Sequence, residues 1–214
     1  MKYHKLVENA KKPNGFWGKM MIKAMNKGHS SLTSWGLEHM NIERTATVLD
    51  IGCGGGKTVD RLCSKVANGK VYGIDYSELS VKSSEKLNSK NILCNKAKIL
   101  QASVSDMPFD DNTFDNITAV ETYYFWPDKE NDVKEVFRVL KQGGTVMLLF
   151  EMLRTDDDPF KWEKVENMLN IKSVTPQEIR AVLESAGFEN INTYTKEGTT
   201  WLCATAQKPK DDEN

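Results

Sequence analysis

Asp50, Gly52, Gly54 and Gly56 stand at alternate positions of the stretch TVLDIGCGGG, residues 47–56. This D-x-G-x-G-x-G spacing joins a carboxylate to a turn of glycines. Glycines let the backbone approach a ligand closely and adopt positive φ. The N–H groups of a helix start beyond such a turn face that ligand. The combination suits nucleotide-type binding, and the spacing narrows the class. A Walker A loop needs G-x-x-x-x-G-K-[ST]. Gly56-Lys57-Thr58 matches its end, but Ile51 stands where the first glycine belongs. A dinucleotide fingerprint needs G-x-G-x-x-G. Gly52 and Gly54 fit it, and the third position falls on Lys57. Asp50 would repel a pyrophosphate but suits a ligand with an ammonium group.

The elements that position this turn follow from apolar spacing. Val48, Leu49 and Ile51 read as a buried strand, and KTVDRLCSKV beyond the glycines has the periodicity of a helix. Strand and helix patterns alternate after about residue 45. Strands are predicted at 47–51, 70–75, 97–103, 116–120, 145–150, 191–196 and 200–207, and helices at 57–66, 79–88, 128–140, 159–170 and 176–186. Ser77 and Thr175 are helix caps, Pro176 suits a first helical position, and Gly187 suits a helix stop. This alternation predicts an α/β fold, a mainly parallel sheet with helices on both faces. The last two strands, with no helix between them, predict an antiparallel edge pair. Residues 1–44 are different, rich in Met and Trp, with Gly28 and Ser30-Ser31 dividing two helices. They read as a cap, serving as an adaptable lid or as a cover for a sheet edge. Residues 208–214 read as a disordered tail.

Val48–Gly56, VLDIGCGGG, resembles motif I of the class I S-adenosylmethionine-dependent methyltransferases. Further landmarks follow in order. VYGIDYS (Val71–Ser77) resembles the second strand, ending in the acidic residue that holds the ribose hydroxyls. DMPFDDNTFDNITAV (Asp106–Val120) resembles the loop and fourth strand, and RVLKQGGTVMLL (Arg138–Leu149) the helix end, Gly-Gly turn and fifth strand. TPQEIRAVLESAGF (Thr175–Phe188) resembles the last helix before a terminal hairpin. The resemblance covers roughly residues 45–207 and is nearest to the small-molecule enzymes of the ubiquinone/menaquinone-biosynthesis type. It implies a Rossmann-like three-layer sandwich with a seven-stranded sheet and an N-terminal helical cap. It implies S-adenosylmethionine as cofactor, converted to S-adenosylhomocysteine.

Site residues follow from both readings. Asp75 closes the second strand about twenty residues past the turn, where a carboxylate meets ribose hydroxyls. Tyr76 is placed to lie against adenine. Ser103 stands where many family members have an adenine-binding Asp, with the Val104 backbone beside it and Asp106 as a substitute. The resemblance puts Glu121, at the end of the fourth strand, near the methionine part of the cofactor. There it can hold the ammonium through its backbone, bind a cationic acceptor or act as base. Tyr123, Tyr124 and Trp126 form a candidate aromatic wall against the sulfonium or the acceptor. His29, at the Gly28 break, is a candidate base if the cap closes. The candidate catalytic set is therefore His29, Glu121 and Tyr123. The candidate cofactor set is Asp50, Gly52, Gly54, Asp75, Tyr76, Ser103, Val104 and Glu121.

Composition bounds the rest. A chain of 214 residues with 39% hydrophobic and 28% charged residues suits one globular unit. A net charge of −1 gives no footprint for nucleic acid. No apolar run reaches the roughly 20 residues of a membrane span, and MKYHKLVENAKK has no signal-peptide core, so a cytoplasmic enzyme is expected. Cys53, Cys63, Cys94 and Cys203 form no C-x-x-C pair, and no metal-ligand spacing is present. Cys53 is read as a small filler of the turn. The expectation is a methyltransferase, monomer or homodimer, using in-line methyl transfer to a small, partly apolar molecule. A nicotinamide-dependent Rossmann oxidoreductase and a non-catalytic S-adenosylmethionine-binding regulatory module are the rivals.

Overall fold

Residues 13–210 are described by a computed structural model of the chain. Its strands are β1 Thr47–Ile51, β2 Lys70–Asp75, β3 Ala97–Gln101, β4 Phe114–Val120, β5 Leu140–Phe150, β6 Glu189–Thr195 and β7 Leu202–Gln207. They form one seven-stranded sheet in the order β3-β2-β1-β4-β5-β7-β6. Neighbours are parallel from β3 through β5. Only β7 runs antiparallel, between β5 and β6. The helices are α1 Gly15–Gly28, α2 Ser30–Gly36, α3 Lys57–Lys65, α4 Glu78–Leu87, α5 Ser89–Leu93, α6 Lys129–Val139, α7 Glu163–Leu169 and α8 Pro176–Ser185. Among the described residues, no helix is long and apolar enough to cross a membrane.

The two-residue period of a strand sends successive side chains into opposite layers. On β1, Val48 joins one core layer, while Leu49 and Ile51 join the other. On β5, Met147 and Leu149 face the first layer, and Val146, Leu148 and Phe150 the second. The first layer is closed by Leu32 of α2, Leu62 of α3 and Val81 of α4. The second is closed by Val133 and Val136 of α6 and by Ile179 and Leu183 of α8. This is the expected three-layer sandwich. Gly36 lets α2 lie directly on β5, since a Cβ there would stand 2.6 Å from a Leu149 methyl.

Local signals act where the residue types place them. The Ser77 hydroxyl caps α4 by accepting from the Ser80 N–H, and Thr175 with Glu178 forms a reciprocal capping box at α8. Gly187 takes φ +93° just past α8. Several boundaries differ from expectation because pairing decides them. β3 stops at Gln101, opposite the last residue of β2, so Ser103 lies beyond the strand. β4 and β5 begin earlier because Phe114 pairs with Leu140, and a register shift follows before Asn116 pairs with Thr145. The expected helix over 159–170 is confined to α7, and α5 and a one-turn 3₁₀ helix at Tyr123–Phe125 add to the predicted set. Lys208, placed by the sequence in the tail, is fastened: its ammonium donates to the Phe137 and Leu140 carbonyls at 2.8 and 2.9 Å. Residues 211–214 of that tail and residues 1–12 of the expected cap lie outside the described residues.

The sheet is built outward from β1, first to β2 and β3, then back to β4 on its other side. The crevice at the carboxyl ends of β1 and β4 is therefore the topological switch point, where ligands bind in open α/β sheets. The turn after β1 is propped from behind by α4. Gly56 has φ +80°, and a Cβ there would fall 2.4 Å from Ser84 Oγ and 2.5 Å from Asn88 Nδ2. The fully buried Asn88 donates to the carbonyls of Gly56 and Ser84, both at 3.0 Å. Asn88→Ala leaves the Gly56 carbonyl without that donor. Urea titration should show a loss of about 1–3 kcal/mol. Wild-type stability would mean that the turn does not depend on this prop.

Candidate active site

The turn after β1 opens on a cleft of about 870 Å³, counting its open mouth. Asp50, Gly52, Gly54 and Asp75 are part of its lining. Gly54 has φ +50°, and a Cβ there would meet only the Gly52 carbonyl, at 3.9 Å. Its missing side chain therefore leaves backbone bare to the cleft. Gly52 serves packing instead: a Cβ would stand 2.2 Å from Thr122 Oγ1, so β1 and β4 meet only because none exists.

Asp75 ties the turn to β2. The Gly54 N–H donates to its Oδ2 at 2.9 Å and the Ser77 N–H to its Oδ1 at 2.8 Å. Burial raises the Asp75 pKa, and these two N–H groups oppose the rise. Asp50 accepts from Thr118 Oγ1 at 2.7 Å. Burial pushes its carboxyl up to about 7 against that hydrogen bond, and the Asp75 charge adds to the rise. Two buried carboxylates thus share one wall with exposed backbone. They suit hydroxyl donors and a cationic group, which is what S-adenosylmethionine would bring. Tyr76 stands half-exposed at the rim.

Met25, His29, Val120, Glu121, Thr122 and Phe125 also line the cleft. Glu121 adopts φ +58°, a left-handed conformation rare outside glycine. Its backbone N–H donates to the Leu149 carbonyl at 2.9 Å, and its carboxylate accepts from the Glu151 N–H. Burial pushes the Glu121 carboxyl up to about 8, opposed by the Glu151 N–H and reinforced by the Glu151 charge. His29 Nε2 lies 4.0 Å from Glu151 Oε2. Burial lowers the His29 pKa, and the Glu151 carboxylate partly offsets that. Ligand atoms of His29, Glu121 and Glu151 all lie within 4.8 Å of one another. The sequence shows no metal-ligand spacing, yet folding gathers three potential ligands from distant positions.

Three expected site residues stand elsewhere. Ser103 sits past the end of β3 in a tight turn, bridged to Asp106, with its Oγ accepting from the Ser105 N–H at 3.2 Å. Val104 is buried in the core layer under α6 and α8. Neither lines the cleft, because β3 ends two residues early. Tyr123 is turned away by the 3₁₀ helix, packing 5.2 Å from Trp126 and 5.7 Å from Phe150 between ring centroids. Phe125 takes the cleft position instead, so the expected aromatic wall is one ring. Cys53 is a buried filler, its thiol pushed well up by burial. Cys63 and Cys203 are also buried, and Cys94 is exposed.

Glu151, Thr122, Phe125 and Asn26 are cleft or cluster residues that the sequence reading did not single out. A signal existed for Glu151, which follows the apolar run of β5 as Glu121 follows that of β4. Because β4 and β5 are parallel neighbours, their end residues meet.

Asp50 carries a pH prediction. Its folded pKa of about 7 lies above the roughly 3.9 of a free aspartate. The folded state therefore holds the proton more tightly than the unfolded state. Stability is full below about pH 4 and is lost as pH climbs to about 7, by on the order of 4 kcal/mol. Asp50→Asn removes this loss. The ligand-free variant should melt above wild type at pH 8, with the gap closing toward pH 4. An equal gap at both pH values would contradict a buried, proton-holding Asp50.

Comparisons with known proteins agree with this geometry. The family described as "Methyltransferase domain" matches residues 49–148. The uncharacterized methyltransferase YdaC of Bacillus subtilis is 27% identical over 183 residues, 85% of this chain and 93% of that protein. The ubiquinone/menaquinone biosynthesis C-methyltransferase UbiE of Cronobacter sakazakii is 31% identical, over 73% of this chain and 72% of that protein. The chain spans less than half the length of several sterol 24-C-methyltransferases that it also matches. Among solved structures, the methyltransferase in complex with the Haloferax volcanii Trm112 activator superposes with a TM-score of 0.76. That pair shares 20% identity over 90% of this chain and 95% of that one. With the glycine turn, the Asp75 anchor and the sheet order all in place, the chain belongs to the class I S-adenosylmethionine-dependent methyltransferases.

Proposed function

We propose that this methyltransferase acts on a small, partly apolar molecule held between α1 and the ends of β4 and β5. One observation carries the reading. A single cleft gathers bare backbone, the carboxylates of Asp50 and Asp75, and the side chains of Met25, Val120, Phe125 and His29. A net charge of −1 favours a small acceptor over nucleic acid, and the cytoplasm is the compartment that the sequence suggests.

When bound, S-adenosylmethionine supplies an activated methyl group for in-line displacement. The chain's own residues have simpler tasks. Asp75 accepts from hydroxyl groups with the lone pairs that Gly54 and Ser77 leave unused. Asp50 offers negative charge to an ammonium. Gly54 admits the ligand to backbone contact. His29, whose pKa burial lowers and the Glu151 carboxylate partly restores, is the candidate base.

The cap divides into two parts in this reading. α2 is a structural cover, with Leu32 and Gly36 buried against the sheet. α1 covers the glycine turn: Ile22 and Asn26 stand so close to Gly55 that a Cβ there would fall within 2.5 Å of both. Its outer face carries exposed Phe16, Trp17 and Met20. We assign the lid role to α1 alone.

Isothermal titration should show S-adenosylhomocysteine binding and no comparable binding of NADH. The reverse order would restore the oxidoreductase rival. S-adenosylhomocysteine binding with no methyl transfer across a broad acceptor panel would favour the regulatory module. Asp75→Asn should weaken S-adenosylhomocysteine by about tenfold, and also lower stability by about 1 kcal/mol through the Gly54 and Ser77 contacts. Unchanged affinity would place the hydroxyl contacts elsewhere. In hydrogen exchange, amides of 15–28 should gain protection on adding S-adenosylhomocysteine, while those of 30–37 are protected throughout. No change in either segment would remove the lid.

A further inference from the structure

We propose that α1 docks the protein on an anionic membrane surface, through Phe16, Trp17 and Met20 set among lysines. This goes beyond the acceptor reading above and does not depend on it.

Helix geometry makes these three side chains one patch. Phe16 and Met20 stand four residues apart and Trp17 and Met20 three, so they are neighbours on the helix surface. Phe16 is 71% exposed, and Trp17 and Met20 are each 51% exposed. The two rings meet edge to face, with centroids 5.8 Å apart. Another face of the helix is already occupied: Ile22 is buried, and Ile22 and Asn26 close on Gly55. The start of the helix is pinned as well, since the Ser77 hydroxyl donates to the Pro13 carbonyl at 3.0 Å. A helix fixed to the body of the protein thus presents large apolar side chains outward. Such a gathering marks a docking surface.

Charge names the occupant. Seven lysines, among them Lys11, Lys12, Lys19 and Lys23, fall within residues 1–29, against one acid, Glu8. The whole chain has a net charge of −1, so the remainder is acidic. Lys19 is exposed beside the apolar patch. A second copy of the chain would bring the same lysines, and like charges repel. A basic, aromatic helix suits a layer whose surface is anionic and whose interior is apolar. Tryptophan settles at the boundary of headgroups and acyl chains, while lysines near the surface are drawn to acidic headgroups. Phe160 gives the contrast. It is 74% exposed, yet it follows Asp156, Asp157 and Asp158, which an anionic surface would repel. Because Met25 and Asn26 of α1 line the cleft, docking brings the cover of the cleft to the bilayer.

The test uses the full chain and vesicles of phosphatidylcholine, with or without about 30% phosphatidylglycerol. In sedimentation, the chain should bind the anionic vesicles about tenfold or more tightly than the neutral ones. Salt at about 0.5 M should remove most of that gain. Bromine-labelled acyl chains should quench the emission of Trp17, the exposed one of five tryptophans. Phe16→Ser combined with Trp17→Ser changes two exposed side chains, so it should melt as wild type does while losing about tenfold in vesicle affinity. Phe160→Ser should leave that affinity unchanged. Equal binding to neutral and anionic vesicles would overturn the proposal, as would wild-type affinity in the double variant. Absence of quenching would overturn it with the unaltered chain, however the variant folds. Binding of a single-stranded oligonucleotide without vesicle binding would assign the basic patch to nucleic acid instead. A dimer that the double variant loses, again without vesicle binding, would assign it to a second copy.

Discussion

The hydrogen bond from the Gly54 N–H to Asp75 holds this cleft together. It joins the turn after β1 to the end of β2, and so fixes bare backbone and a carboxylate in one frame. Other close approaches depend on the same turn. Gly52 lets it meet Thr122 at the end of β4, Gly55 lets α1 close over it, and Gly56 lets α4 support it from below. Side chains at these three positions would collide with neighbours at 2.2–2.5 Å. Gly54 differs, because a Cβ there would meet only the Gly52 carbonyl, at 3.9 Å. Four neighbouring elements thus converge on one turn, and Gly54 is the one of its glycines whose missing Cβ leaves open space.

The cleft concentrates negative charge that the fold alone would not favour. Asp50, Asp75 and Glu121 are all shifted toward the protonated form, with burial as the largest cause in each. Burying ionised carboxylates without partners is unfavourable. The hydrogen bonds from Thr118, Gly54, Ser77 and Glu151 offset only part of that cost. A cationic ligand supplies the remainder. A sulfonium cofactor that also bears an ammonium group would bring such charge. Stability is traded here for affinity, as functional sites commonly do.

The left-handed backbone at Glu121 belongs to the same pattern. Strain of this sort persists only where surrounding contacts hold it. Here the bonds to Leu149 and Glu151 do so from the neighbouring strand. The effect is to turn the chain sharply at the end of β4. Tyr123 and Tyr124 then enter the core, while Glu121 and Phe125 remain on the cleft.

Much was legible in the sequence because it rests on local rules. Alternation of apolar residues predicted the strands, Ser77 and Thr175 marked helix starts, and D-x-G-x-G-x-G marked the turn. Asp50, Gly52, Gly54, Asp75, Tyr76, Glu121 and His29 all line the one cleft. Ser103, Val104 and Tyr123 do not, because strand length and a single 3₁₀ turn depend on which partner a backbone finds. The pairing of β3 ends with that of β2, a fact about two strands and not about the residues after Gln101. The meeting of His29, Glu121 and Glu151 is likewise tertiary. It needs α2 anchored on β5, and β4 and β5 parallel and adjacent, before three residues far apart in the chain face one another. Sequence by itself determined which residues could turn, cap and alternate, since those preferences act over a few neighbours. Only the tertiary structure decided which carboxylates are desolvated and brought together, since burial and long-range pairing are properties of the assembled sheet.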